Sequence, residues 1–492
     1  MNFLRKPEGR SGSRRKGPAG KRLLETLASA FVVGITSRLL IQLFALVQIM
    51  MASRFFGLAE FGAYALAWAC AMIFAAFMYT GYYQALLRSR TPDEDRNTVF
   101  TVMLATGALA GLVLLATGTL IVEYQSLTSQ ICLAFAVLPL LDAVVAWNDV
   151  HLLRAARVRT ASLINAAAEA LATLVLLLAL REGLGAMSLV LGRYTAVSLQ
   201  LVLTSSVVRR LPGLALNPEV LRRGWPTAVP LWASTGAGML TNYGIDLILG
   251  AFLNPSQVGA YRGGARISQT AADLIQQPLT MLTWSRFSRL DKTGRRHRIR
   301  HYWRVNMSFA ATAAWPVMLS VALMAEEIVT VVLDESWLPA AAVIGILSLM
   351  RAVRILSMHL EPTLVSFDRQ YQLLKIRLFG LSLLMAAMFL YGRSGAVEAA
   401  YAQLFTVIFM AGVTLTTASA ILKISPRDML RTFLPGLAVS LLCGGFILAT
   451  EPFRSEAGPA AGLFLTLLGV AILWCCAVAL ALAKRMLRWP TP

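Results

Sequence analysis

Apolar residues in this chain come in long unbroken runs, not in the alternation of a strand. Read with a window of about 19 residues, the sequence divides into fourteen runs of roughly 20 residues, each able to cross a ~30 Å hydrocarbon slab as a helix. They lie near 26–51, 61–86, 98–121, 128–150, 161–180, 186–207 and 227–252, then near 257–283, 305–325, 338–361, 373–391, 396–421, 430–450 and 460–483. A β-barrel would alternate instead, and a single anchor would leave most of the chain polar. The pattern predicts an all-α polytopic membrane protein of about 14 transmembrane helices.

Composition agrees: 57% of the residues are hydrophobic and only 14% charged, where a soluble domain carries about a quarter charged. The net charge of +20 would suit nucleic acid, but its placement points to lipid headgroups. Roughly 35 of the 45 Lys and Arg fall on one side of the span pattern, eight of them before the first span and eight in 285–304. The other side holds only Arg54, Arg181, Arg393 and Arg454. By the positive-inside rule the N- and C-termini are cytoplasmic, and anionic lipid accounts for the basic loops without nucleic acid. Trp225, Trp284, Trp303, Trp337 and Trp489 sit near span ends and read as interfacial belt residues. The five cysteines lie in apolar spans without metal or disulfide spacing. No Walker A, HExxH or nucleophile elbow is present, and outer loops do not exceed about 14 residues. The chain is therefore expected to need no cofactor and to be no enzyme.

The sequence repeats itself. Phe55-Phe56-Gly57-Leu58-Ala59-Glu60-Phe61-Gly62-Ala63-Tyr64 bridges the first two spans. Phe252-Leu253-Asn254-Pro255-Ser256-Gln257-Val258-Gly259-Ala260-Tyr261 bridges the seventh and eighth at a constant offset of 197 residues. An offset of six spans preserves orientation, so the halves are parallel repeats about an axis along the membrane normal. The expected layout is a disordered basic tail (1–22), a six-span N-lobe (23–207), an inter-lobe loop (208–226), a six-span C-lobe (227–421), an extra helix pair (430–483) and a tail (484–492). Two such lobes suit an alternating-access transporter with its cavity between them.

Charges inside spans locate that cavity, since a mid-bilayer Arg or Asp costs about 2.5–3.5 kcal/mol and almost always faces a bundle interior or water. In the eighth span Arg262, Arg266, Gln269, Asp273, Gln276 and Gln277 share one stripe at 100° per residue. Gly263 and Gly264 beside them suit close helix contact or a bend. Arg38, Arg193, Asp246, Arg351 and Arg354 join them as candidate cavity residues. Asp246 is level with Arg262 and able to pair with it; Arg354 and Glu361, seven residues apart, form a second possible pair. Asp246, His359 and Glu361 are candidates for ion coupling. The positive surplus in the second half suits a phosphate or carboxylate, which guanidinium groups grip bidentately.

With topology, repeat and charges in place, residues 24–483 resemble the Wzx-type polysaccharide flippases, of the superfamily that also holds the MATE exporters and lipid II flippases. The most specific stretches are ASRFFGLAEFGAYALAWA (52–69) and NYGIDLILGAFLNPSQVGAYRGGARI (242–267). Asp246, Gly259, Tyr261 and Arg266 match the family's pattern; Arg262 stands where the family usually has a small residue. The resemblance implies translocation of undecaprenyl-pyrophosphate-linked oligosaccharide across a bacterial inner membrane, with that lipid, the membrane and other polysaccharide-assembly proteins as partners. It also implies that the terminal helix pair holds the lipid tail. A MATE-like cation or drug antiporter shares the expected fold. A membrane glycosyltransferase or polymerase would need a long outer loop that the chain lacks.

Overall fold

The computed structural model describes residues 18–89, 91–123, 126–210, 212–292, 298–484 and 487. Among them there is no strand. The first half holds α1 (Pro18–Ser53), α2 (Leu58–Met78), α3 (Tyr82–Arg88), α4 (Pro92–Leu120), α5 (Ser126–Phe135), α6 (Leu138–Arg154), α7 (Val158–Arg181) and α8 (Met187–Val208). There follow α9 (Pro218–Phe252), α10 (Pro255–Lys292), α11 (Ile299–Leu323), α12 (Ala325–Val332), α13 (Pro339–Arg354), α14 (Leu360–Ser366), α15 (Gln370–Leu390) and α16 (Ala396–Leu422). The chain closes with α17 (Pro426–Ala449), α18 (Glu451–Ala457) and α19 (Pro459–Ala483).

Among the described residues, twelve helical segments are long and apolar enough to cross a membrane, and each falls on an expected span. Several are two helices in line, such as α2 with α3 and α5 with α6. The expected spans at 227–252 and 257–283 are α9 and α10, which run 35 and 38 residues but are too polar to pass the same measure. Polar residues hold them below the other twelve because they face an interior other than lipid.

Element ends depart from expectation where capping chemistry intervenes. The inter-lobe loop stops at Asn217 instead of 226, because Asn217 accepts a hydrogen bond from the Glu219 amide and Pro218 opens the helix. Residues 18–22, expected in the tail, already belong to α1, and residues 1–17 lie outside those described. In the extra pair, Ser425 caps α17 through the Asp428 amide, four residues earlier than the apolar run suggested.

The internal repeat folds onto itself. A Cβ on Gly62 would sit 2.8 Å from the Gly259 nitrogen and against the Pro255 backbone; one on Gly259 would sit 3.1 Å from the Gly62 nitrogen and against the Leu58 backbone. Leu58 and Pro255, like Gly62 and Gly259, are 197 residues apart, so each half offers the other the same surface, as two-fold related elements must. The α2 and α10 backbones touch with no side chain between them. Trp337 closes over this crossing: it is fully buried, 5.0 Å from the Phe61 ring, with its indole nitrogen 3.4 Å from the Phe56 carbonyl. Trp303 is buried too, so these two are core residues and not belt residues, whereas Trp225 is exposed.

At the opposite, arginine-rich end the connection between the halves is strapped to α4. Gly213, Ala215 and Asn217 donate their amides to Asn97, Thr101 and Thr98. Arg223 reaches Asp95 at 2.5 Å, and the Ser89 hydroxyl also donates to Asp95. The Tyr82 hydroxyl donates to the Leu221 carbonyl at 2.9 Å, and the Trp232 indole to the Phe77 carbonyl at 3.0 Å. Gly81, at φ +64°, ends the first part of the span where any Cβ would strike the Trp232 ring. The extra pair docks on α11: Gly436 lies against the Ala311–Thr312 backbone, and the Trp474 indole donates to the Thr312 carbonyl at 3.0 Å.

Gly62→Ala or Gly259→Ala should each lower stability by about 1–3 kcal/mol, the usual cost of overpacking, seen as an earlier thermal unfolding midpoint in detergent. Gly412→Ala, whose added Cβ meets nothing within 4 Å, should leave the midpoint unchanged or raise it.

Candidate functional site

The polar stripe of α10 is positioned by its other face. Val258, Ala260, Tyr261, Ala265, Ile267, Ser268 and Ala272 are buried. Gly264 abuts Val343 of α13, and the Ser348 hydroxyl donates to the Ser268 hydroxyl at 3.1 Å. Tyr261 donates to Gln403 at 2.8 Å. With that face fixed on α13 and α16, Arg262 and Arg266 are turned toward α9 and the first half.

Two arginines on the site are neutralised, each in the same way. Arg262 lies 3.2 Å from Asp246, which is completely buried, and its guanidinium sits 4.7 Å from the centre of the Tyr243 ring. Arg193 donates to Glu169 at 3.0 Å and sits 4.6 Å from the centre of the Trp68 ring. Gln48 of α1 donates to Thr173 at 2.9 Å and reaches the second Glu169 oxygen at 3.5 Å. Each half thus supplies one arginine, one carboxylate and one aromatic face. Asp142 of α6 adds a further negative charge within reach of Arg193.

Three arginines are not neutralised. Arg266, Arg351 and Arg354 form no ion pair with any described residue, and Asp273 is the carboxylate whose charge reaches all three. Gln269 partly occupies that carboxylate at 3.5 Å. Arg266 also feels Arg193, so like charges from the two halves converge. Arg354 is exposed, and Arg266 and Arg351 keep part of their surface open. A charge at this depth is tolerated where its open surface meets water or a counter-charge.

Other expected members stand apart. The Arg354–Glu361 pair is not formed: Glu361 binds Arg377 of α15 at 2.5 Å, because α14 begins after a break that turns it from α13. This leaves Arg354 without the carboxylate expected beside it. His359 is buried, 6.3 Å from the Phe287 ring, with no described partner for its ring nitrogens, away from the charged cluster. Arg38 is exposed on α1 and pairs with no described residue. Tyr64, Trp68 and Tyr243, not singled out for the site from sequence, belong to it. The i, i+4 spacing of Tyr64 and Trp68, whose rings stack at 6.2 Å, was the available signal. A separate apolar cavity of about 220 Å3 between α2, α4, α5 and α9 is lined by Leu66, Cys70, Cys132 and Leu247 and holds no charge.

Breaking the buried pair should be costly and removing it whole should not. Arg262→Met, which strands Asp246, is expected to lose about 3–5 kcal/mol, and adding Asp246→Leu should recover most of it; chemical denaturation in detergent measures both.

The fold is shared with known transporters. The chain superposes on the "Lipid II flippase MurJ, inward closed conformation" with a TM-score of 0.72 at 10% identity, covering 93% of this chain and 100% of that one. A multidrug resistance MATE family transporter of the MOP superfamily in its inward-facing conformation gives 0.57 at 14% identity, over 78% of this chain and 96% of the other. A MOP superfamily transporter from Pyrococcus furiosus gives 0.51 at 15%, over 80% and 96%. No curated protein matches the sequence. Residues 51–342, more than half of the chain, match the family described as polysaccharide biosynthesis protein. The resemblance read from residues 24–483 is thus borne out: the chain is a multi-pass membrane protein with the MOP transporter fold, and it belongs to the polysaccharide biosynthesis protein family.

Proposed function

We propose that this protein flips undecaprenyl-diphosphate-linked oligosaccharide across the bacterial inner membrane by alternating access, for exopolysaccharide or O-antigen assembly. The observation that carries the reading is the set of three uncompensated arginines, Arg266, Arg351 and Arg354, around the single carboxylate Asp273. Uncompensated cations at membrane depth are retained where a ligand completes them. A diphosphate does so with paired acceptor oxygens that fit the guanidinium fork.

The rest of the molecule supports the same cargo. A diphosphate-sugar headgroup cannot cross hydrocarbon unaided, whereas its polyprenyl tail need not leave it. In this reading residues 23–207 and 227–421 act as the two lobes, both termini are cytoplasmic, and α17–α19 offer a groove for the tail. Arg38, about 22 Å from the end of its helix at 1.5 Å per residue, is level with Arg354 and joins the cavity wall as the lobes move. A cation antiporter is disfavoured because Glu169 and Asp246 are already held by arginine.

In a deletion strain, Arg266→Ala and Arg38→Ala should each abolish polymer export while the protein still inserts. Lipid-linked oligosaccharide should then accumulate on the cytoplasmic leaflet. Wild-type polymer yield from both well-expressed variants would refute the reading.

A further inference from the structure

The charges of the site are sorted by depth. The turns before Leu58 and Pro255, together with the start of α13, mark one end of the bundle; depth is counted from there at 1.5 Å per residue. Tyr64 and Arg193 lie about 9 Å down, Arg262 and Asp246 about 10 Å, and Tyr243 and Trp68 about 14–15 Å. Arg266 follows at about 16 Å, Arg351 at about 18 Å and Arg354 at about 23 Å.

The upper level is electrically closed, because its two arginines are held at 3.0 and 3.2 Å by Glu169 and Asp246. What it offers instead is aromatic surface and unused donors. Tyr64, Trp68 and Tyr243 each keep part of their surface open. The Tyr64 hydroxyl and the Trp68 indole N–H make no hydrogen bond to a described residue. Aromatic rings with polar edges suit a neutral, hydroxyl-rich ligand. The lower level holds the positive surplus, and the Trp315 indole there is already spent on the Ala352 carbonyl at 2.9 Å.

Resting on the function proposed above, we infer that the site takes its cargo glycan-first. The first sugars lie among Tyr64, Trp68 and Tyr243, and the diphosphate is seated on Arg266, Arg351 and Arg354. Trp68 and Tyr64 then select for a glycan on the lipid, while Arg351 and Arg354 select for the diphosphate whatever it carries. The order follows from electrostatics. A diphosphate driven up to the closed level would meet guanidinium groups whose charge Glu169 and Asp246 already balance, and would leave the lower arginines uncompensated.

The test uses the full-length protein in detergent and two probes, undecaprenyl diphosphate and undecaprenyl diphosphate carrying a disaccharide, with bound lipid counted by native mass spectrometry. Replacing Arg351 and Arg354 together by Gln should weaken both lipids about tenfold or more. Trp68→Leu should weaken only the disaccharide lipid, about three- to tenfold, and leave undecaprenyl diphosphate within twofold. Trp68→Phe and the Arg351→Lys, Arg354→Lys pair should restore much of each loss, which separates the roles from misfolding. The inference is overturned if Trp68→Leu weakens both lipids equally, or if the double Gln variant weakens neither. Wild-type protein that retains neither lipid would overturn the flippase reading itself, and this one with it.

Discussion

A charge in a low-dielectric interior must have a counter-charge or water, and the arrangement of this molecule follows from that requirement. Asp246 and Arg262 satisfy it with each other across α9 and α10, and Glu169 and Arg193 do so across α7 and α8. Arg266, Arg351 and Arg354 have no ion-pair partner among the described residues and keep part of their surface open instead. The same requirement explains why α9 and α10 are the least apolar of the long helices: their polar residues are spent on the interior, so their composition falls short of a lipid-facing span. It also separates the arginines that hold helices together, Arg193 and Arg262, from those that do not. In the function proposed above, the latter leave a deficit that a doubly charged ligand fills.

Most of the architecture was legible in the sequence because lipid imposes one strong rule, about 20 apolar residues per crossing. All fourteen expected spans correspond to helices, including the two polar ones that a hydropathy measure alone passes over. The ten-residue repeat was legible as well, and its meaning is visible in the reciprocal contact of Gly62 and Gly259. Boundaries were less so. Apolarity says where lipid begins, but Asn217 and Ser425 decide where helices begin, and they do so in water beyond the lipid edge.

Which charged residues share a helix face was legible; how they pair was not. Helical periodicity places Arg262, Arg266 and Asp273 on one face, since that is local geometry. It does not say that Glu361 turns to Arg377, because that depends on a break between α13 and α14 and on which helix lies alongside. Nor does it reveal that Arg193 stacks on Trp68, 125 positions away in the chain. Trp303 and Trp337 fail as belt residues for the same reason: proximity to a span end says nothing about whether a neighbouring helix covers the ring.

The backbone-to-backbone crossing of α2 and α10 has a consequence for how the chain tolerates change in length. Inserting one residue into either turn would rotate the following helix by about 100° and advance it by about 1.5 Å. Because each half is the other's template at that point, the slip would displace both glycines from their seats at once. Length in these two turns is therefore held jointly, and a shift in one strand of the repeat has no partner position into which it can relax.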